Sequence, residues 1–276
     1  MESRLNRTRL AIAFATLAIA SPLTASPASA QRFISPVRVD TTVALGSNGT
    51  LSVSVYSGEV NVAGASGSGV HIRGTAERDE LEIVGRSSIV SVSSEPDGGR
   101  GGRADLEITV PIGTRVILEG FSSPFTVRGT KGEVRLQTLS GKLTVSDAVG
   151  SVRVETVSGD VDVSNVDGSV HTEGVSSLVT LTGITGDIDG ASVNGDFRVT
   201  RTGSKSVRVE TVSGSIGYFG MFDPTGNYAF KSHSGKVTLG LPADAGATVS
   251  LQTFSGNVDS DFPVTLESGR SRMGHE

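Results

Sequence analysis

Between residues 132 and 203 the apolar and polar positions recur with a period of nine. The blocks read GEVRLQTLS, GKLTVSDAV, GSVRVETVS, GDVDVSNVD, GSVHTEGVS, SLVTLTGIT, GDIDGASVN and GDFRVTRTG. Each opens on Gly (Gly132, Gly141, Gly150, Gly159, Gly168, Gly186, Gly195) or, once, on Ser177. The third position is apolar throughout: Val134, Leu143, Val152, Val161, Val170, Val179, Ile188, Phe197. The fifth fails only at Thr172 and Gly190, and the eighth is apolar at Leu139, Ala148, Val157, Val166, Val175, Ile184 and Val193. Residues three and five share one side of a strand, because successive side chains alternate. The eighth breaks that parity, which predicts a corner between five and eight.

Odd and even blocks differ, so the full period is eighteen. One half carries Gln137, Glu155 and Glu173 and ends in Ser140, Ser158, Ser176 and Asn194; the other stacks Ser146, Ser164, Thr182 and Thr200. Two strands and two corners per eighteen residues predict an all-β, single-domain β-solenoid, with rungs about 4.8 Å apart and each stabilised by its neighbours. The rival is an antiparallel meander of nine-residue units, which would leave two bare sheet edges.

Outside this core the pattern loosens. Strands are expected over 37–43, 51–55, 60–62, 70–72, 81–84 and 89–92, and Tyr56-Ser-Gly-Glu-Val-Asn-Val62 is an early copy of the repeat. Residues 95–103, rich in Gly and Pro, read as a polar loop. Past Gly203 the rungs lengthen, with Gly214, Gly235 and Gly256 spaced by twenty-one, so the extra residues bulge from a corner while Ile216, Val237 and Val258 keep register.

Residues 1–30 have the form of a cleavable export signal: Arg4, Arg7 and Arg9, an apolar run from Leu10 to Ala20, and Ala28-Ser-Ala30. The apolar run is shorter than the roughly 20 residues a membrane span needs. The expected mature chain, 31–276, has no transmembrane segment and is destined for the periplasm or the cell surface. The chain has no cysteine, so disulfides, thiol catalysis and cysteine-bound metals are excluded. A net charge of -5 without a basic block speaks against nucleic acid.

The recurrence of Glu155-Thr-Val-Ser-Gly-Asp-Val-Asp-Val163, Glu210-Thr-Val-Ser-Gly-Ser-Ile216 and Ser232-His-Ser-Gly-Lys-Val-Thr-Leu239 resembles the DUF4097 family of bacterial adhesin-like proteins. So does Leu241-Pro-Ala-Asp-Ala-Gly246 followed by Gln252-Thr-Phe-Ser-Gly256 and Asp261-Phe-Pro263. The resemblance covers nearly all of the mature chain and implies an exported β-solenoid, with no catalytic or binding residue to carry over. One departure is the stretch from Ser268 to Glu276, which does not form the further Gly-rich rung that such proteins often have. That leaves self-association through a solenoid edge as a possible role.

Candidate chemistry is sparse. A nine-residue period invites a calcium roll, but that needs several turn glycines per repeat, whereas Asp160, Asp162, Asp187, Asp189 and Asp196 fall on strand positions. Asp160 with Asp162, and Asp187 with Asp189, are outward carboxylate pairs, read as solvated surface or, alternatively, as the acids of a polysaccharide-active enzyme. No aromatic platform is apparent over the regular rungs. His71, His171, His233 and His275 share no metal-ligand spacing, and the Ser residues before Gly read as corner residues. The one aromatic concentration is Tyr218, Phe219, Met221, Phe222, Tyr228 and Phe230, which is either an exposed binding patch or packing over a lengthened rung. No cofactor and no enzymatic activity are expected. The leading expectation is an adhesin-like envelope protein that binds a cell-surface carbohydrate or protein along its side; the alternatives are end-to-end assembly and, least, polysaccharide chemistry.

Overall fold

The computed structural model describes residues 36–46, 48–77, 81–86, 88–94 and 102–240. The expected export signal (1–30), most of the polar loop (95–101) and the closing stretch (241–276) lie outside them. Among the described residues no helix is long and apolar enough to cross a membrane.

The regular part is a β-solenoid. Its strands are β8 (Arg115–Ser122), β9 (Phe125–Arg128), β10 (Val134–Ser140), β11 (Leu143–Val149), β12 (Val152–Ser158), β13 (Val161–Asp167) and β14 (Val170–Ser176). They continue as β15 (Leu178–Ile184), β16 (Ile188–Ser192), β17 (Asp196–Thr200), β18 (Ser206–Ser213), β19 (Ile216–Phe219), β20 (Asn227–Ser234) and β21 (Val237–Leu239). Odd-numbered strands from β9 to β21 stack in an eleven-stranded sheet, here sheet A, and even-numbered strands from β8 to β20 in a ten-stranded sheet B. Every pairing among these fourteen strands is parallel, which excludes the meander. Val134 pairs with Val152, Val152 with Val170 and Val170 with Ile188, the expected step of eighteen. The step grows to twenty-one at Val207↔Tyr228 and Ile216↔Val237, and the added residues form the corner 220–226.

Third- and fifth-position side chains of both sheets form the core: Val134, Leu136, Leu143, Val145, Val152, Val154, Val161 and Val163 are at most 2% exposed. The eighth position behaves differently in the two halves. In sheet A the seventh residue takes a left-handed conformation, at φ 55° for Asp147, 53° for Asn165 and 51° for Arg201, while Gly183 reaches 67°. Short polar residues and Gly tolerate this region best. That single step turns the chain and delivers Ala148, Val166 and Ile184 into the core. In sheet B the seventh residue keeps strand alternation and points inward, so Thr138, Thr156 and Ser192 are buried. Thr138 Oγ1 donates to the Ser140 carbonyl at 2.9 Å, satisfying a hydroxyl that burial would otherwise penalise. The eighth residue then faces solvent. The expected corner between five and eight therefore exists only in the sheet A halves.

The first third builds the other end. It comprises β1 (Val37–Val43), β2 (Thr50–Ser57), β3 (Val60–Ala65), β4 (Val70–Ala76), β5 (Leu81–Arg86), β6 (Ile89–Ser94) and β7 (Ala104–Pro111). The early repeat copy forms a true rung, β2–β3, but out of chain order: it is inserted between β6–β7 and β8–β9. Beyond β7, β4 and then β1 add antiparallel to sheet A, and β5 adds antiparallel to sheet B. These three strands cap the parallel stack.

Candidate binding face

The outward face of sheet B carries two parallel ladders, and a third follows its strand ends. Its fourth and sixth positions form a zigzag of ion pairs across the rungs. Arg135 Nη2 lies 3.2 Å and Arg153 Nε 2.7 Å from the same Glu155 oxygen. Arg153 Nη2 also reaches Glu173 at 3.3 Å, and His171 spans Glu173 (2.6 Å) and Asp189 (3.1 Å). Further along, Glu210 accepts from Arg208 at 3.0 Å and Lys231 at 2.9 Å. The hydrogen bond from His171, with Arg153 nearby, holds the Glu173 carboxyl below its ordinary value against a small opposing cost of burial. Lys231 does the same for Glu210, again against partial desolvation. Glu155 holds the Arg153 guanidinium more firmly protonated. Exposed pairs of this kind contribute about 0–1 kcal/mol each, so they neutralise the face more than they stabilise the fold.

Beside them runs the eighth-position ladder. Phe121, Leu139, Val157, Val175, Val193 and Val212 succeed one another on adjacent rungs, each 40–49% exposed. Their order follows from the flanking register, Gly120↔Thr138↔Thr156↔Gly174↔Ser192↔Thr211. Tyr56, brought in by the out-of-order rung, extends the row at its head and stacks on Phe121 with centroids 4.9 Å apart and planes within 5°. An open cavity of about 510 Å³ beside this pair is lined by Tyr56, Ser93, Phe121, Gln137, Leu139 and Val157. The third ladder is hydroxyl-bearing: Ser57, Ser122, Ser140, Ser158 and Ser176 pair in register next to the apolar row, and Ser213 with Ser234.

The stacked aromatic pair on this face was not expected from sequence. Its signal was present: Tyr56-Ser57 and Phe121-Ser122 occupy the slot of Val157-Ser158. Sheet A presents the other expected row, Ser146, Ser164, Thr182 and Thr200, with a 3.1 Å hydrogen bond between the last two hydroxyls.

The six-residue aromatic group does not form one exposed patch. Tyr218 is fully buried, and burial pushes its phenol up. Phe222, Tyr228 and Phe230 are half-buried around it, with ring centroids 4.9, 5.9 and 5.1 Å from Tyr218. Tyr228 Oη ties the corner by donating to the Ser204 carbonyl (2.9 Å) and accepting from the Asp223 amide (2.8 Å). Only Phe219 and Met221 stay at the surface, 48% and 68% exposed. Asp160 and Asp162 flank the start of β13 in sheet A, whereas Asp187 and Asp189 flank the start of β16 in sheet B, so the two carboxylate pairs lie on opposite sheets. His171 is outward as expected, His71 bonds Asp40 at 2.8 Å in the cap, and His233 is exposed on β20, while His275 lies outside the described residues.

The family model described as Toastrack DUF4097 matches residues 39–275. Among solved structures the chain is similar to a protein of Clostridium sporogenes ATCC 15579 provisionally assigned to cell adhesion. The identity is 10%, the TM-score 0.32, and the match covers 75% of this chain and all of the other. A search of curated proteins gives no match. The repeat, the parallel solenoid and a family match running through nearly the whole described chain lead to one assignment: the protein belongs to the Toastrack DUF4097 family.

Proposed function

We propose that the chain is an exported, adhesin-like, non-catalytic envelope protein that binds a cell-surface carbohydrate or protein through the outward face of sheet B. The observation that carries this is the unbroken apolar row from Tyr56 to Val212, exposed from Phe121 onward between a neutralised ion-pair ladder and a serine ladder. Contiguous exposed apolar surface on a soluble fold commonly marks a contact site. A repeated surface binds by many weak contacts whose joint engagement raises avidity. Phe219 and Met221 offer a second, smaller apolar contact at the long corner.

Two observations support binding over the other roles. Glu173 and Glu210 are held below their ordinary values by hydrogen bonds from His171 and Lys231, the reverse of what a proton-donating carboxyl requires. The antiparallel strands β1, β4 and β5 close one end of the parallel stack, which favours contact along the side over end-to-end growth at that end. The test is adhesion of the purified exported protein to envelope extracts and a glycan array. Retention on either, lost when bulky labels are attached along sheet B, is the expected result. No retention on both, or turnover of a polysaccharide, contradicts the proposal.

A further inference from the structure

We infer that the apolar ladder of sheet B is a track for a neutral, extended β-1,4-linked polysaccharide running along the solenoid axis. The inference rests on the binding function proposed above and names its partner. Seven residues, from Tyr56 through Phe121, Leu139, Val157, Val175 and Val193 to Val212, form a row one side chain wide. At one rung per residue the row is about 29 Å long. An extended β-1,4 chain advances by close to one rung per sugar, has C–H faces that match an apolar row, and carries hydroxyls along both edges. The in-register serines Ser122, Ser140, Ser158 and Ser176 follow the row at the exposed strand ends, beside one of those edges. The Tyr56–Phe121 pair, stacked face to face along the row, adds apolar ring edges and an open cavity at the head of the track.

Other occupants fit less well. An extended peptide repeats its same-face side chains every 6.4–6.8 Å or so, out of step with rungs about 4.8 Å apart. It would also gain its affinity from backbone bonds at a sheet edge, not on a side-chain face. The row by itself offers roughly 200–300 Å², short of the about 800 Å² per partner of a stable pair, so a second copy would need surface beyond it. Charge excludes a strongly ionic polymer. The fourth and sixth positions from β2 to β18 hold Arg135, Arg153 and Arg208 against Glu119, Glu155, Glu173, Asp189 and Glu210. With Lys231 of β20 bonded to Glu210, four cations and five carboxylates, most of them paired, leave a net of one negative charge, so neither a polyanion nor a polycation finds its complement.

The test is calorimetric titration of the full exported protein with cellobiose, cellohexaose and chitohexaose, with hexaguluronate as the anionic control. A hexamer is expected to bind about tenfold or more tighter than the dimer, because it spans more rungs. Val157→Ser with Val175→Ser is expected to weaken the hexamer by about tenfold, since two apolar contacts are lost. Val149→Ser, at a position equally exposed but on sheet A, is expected to change nothing. The inference is overturned if neither hexamer binds at millimolar concentration, if hexaguluronate binds as well as they do, or if the double variant binds unchanged. It is equally overturned if the double variant instead abolishes a self-association seen by sedimentation, which would make the row a contact between copies. Adhesion to envelope extracts, measured in parallel, separates the two levels. Adhesion kept by the double variant without hexamer binding defeats the glycan track alone, whereas a wild-type protein that adheres to nothing defeats the binding function as well.

Discussion

The glycine that opens each half-rung makes a sharp prediction at Gly159. Its φ is +141°, and a Cβ built there would fall inside contact distance of the Gly141 carbonyl oxygen on the preceding rung, with the Gly141 carbonyl carbon at 2.9 Å and amide nitrogen at 3.0 Å. These are backbone atoms fixed by parallel pairing on both sides, so they cannot swing away as a flexible side chain would. Gly159→Ala therefore carries two costs. The unfavourable φ costs about 1–2 kcal/mol and forcing the rungs apart about 1–3 more, a total of about 2–5 kcal/mol. Gly150 provides the control. Its φ is +117°, but the nearest atom to an added Cβ is the Gly132 carbonyl oxygen at 3.4 Å, an ordinary contact. Gly150→Ala should cost only the conformational share, about 1–2 kcal/mol. Urea unfolding measures the global loss. Amide exchange along β11, β13 and β15 locates it, which matters because repeat folds can lose rungs one at a time. Equal losses for the two variants, or a loss at Gly159 below about 1 kcal/mol, would refute the close rung-to-rung approach as the reason for glycine.

Two further predictions follow from the site. Because Glu173 titrates below its ordinary value of 4.5, its bonds to His171 and Arg153 contribute above that value and are lost as pH falls through the lower folded one. His171→Gln should move the Glu173 carboxyl resonance back toward an ordinary glutamate titration, with a stability change under about 1 kcal/mol at neutral pH; an unmoved titration would mean that the histidine bond is not its cause. Phe222→Ser should cost about 2–3 kcal/mol by urea unfolding, since its ring packs edge-on to Tyr218 and 4.6 Å from Tyr228. Unchanged stability with lost adhesion would make the long corner a binding patch instead.

The rung was legible in the sequence because the residues that define it repeat in place: a corner glycine, then apolar third and fifth residues. The lengthened rungs were legible for the same reason, since Ile216 and Val237 keep their distance from Gly214 and Gly235. The fate of the eighth residue was not read correctly. Val157 and Val166 look alike as apolar eighth residues, yet one is 44% and the other 1% exposed. The difference lies one residue earlier, where Asn165 turns left-handed and Thr156 stays in the strand. That signal was available in the contrast of Asp147, Asn165 and Gly183 with Thr138 and Thr156. The stacking of Tyr56 on Phe121 was beyond local pattern. The copy around Tyr56 announces a rung but not its neighbours, and only the insertion of β2–β3 between β6–β7 and β8–β9 makes the two rings meet.

Eighth-position residues face solvent in sheet B and the core in sheet A, as Val157 and Val175 against Val166 show. The chain has no cysteine, so single substitutions report without interference. The decisive measurement is nitroxide labelling of Val157→Cys, Val175→Cys and Val166→Cys in the folded protein. The expected result is rapid labelling at 157 and 175, strong spin exchange when both are labelled, as sites about 4.8 Å apart require, and protection at 166. Protection at all three, or labelling at 157 and 175 without spin exchange, would contradict it.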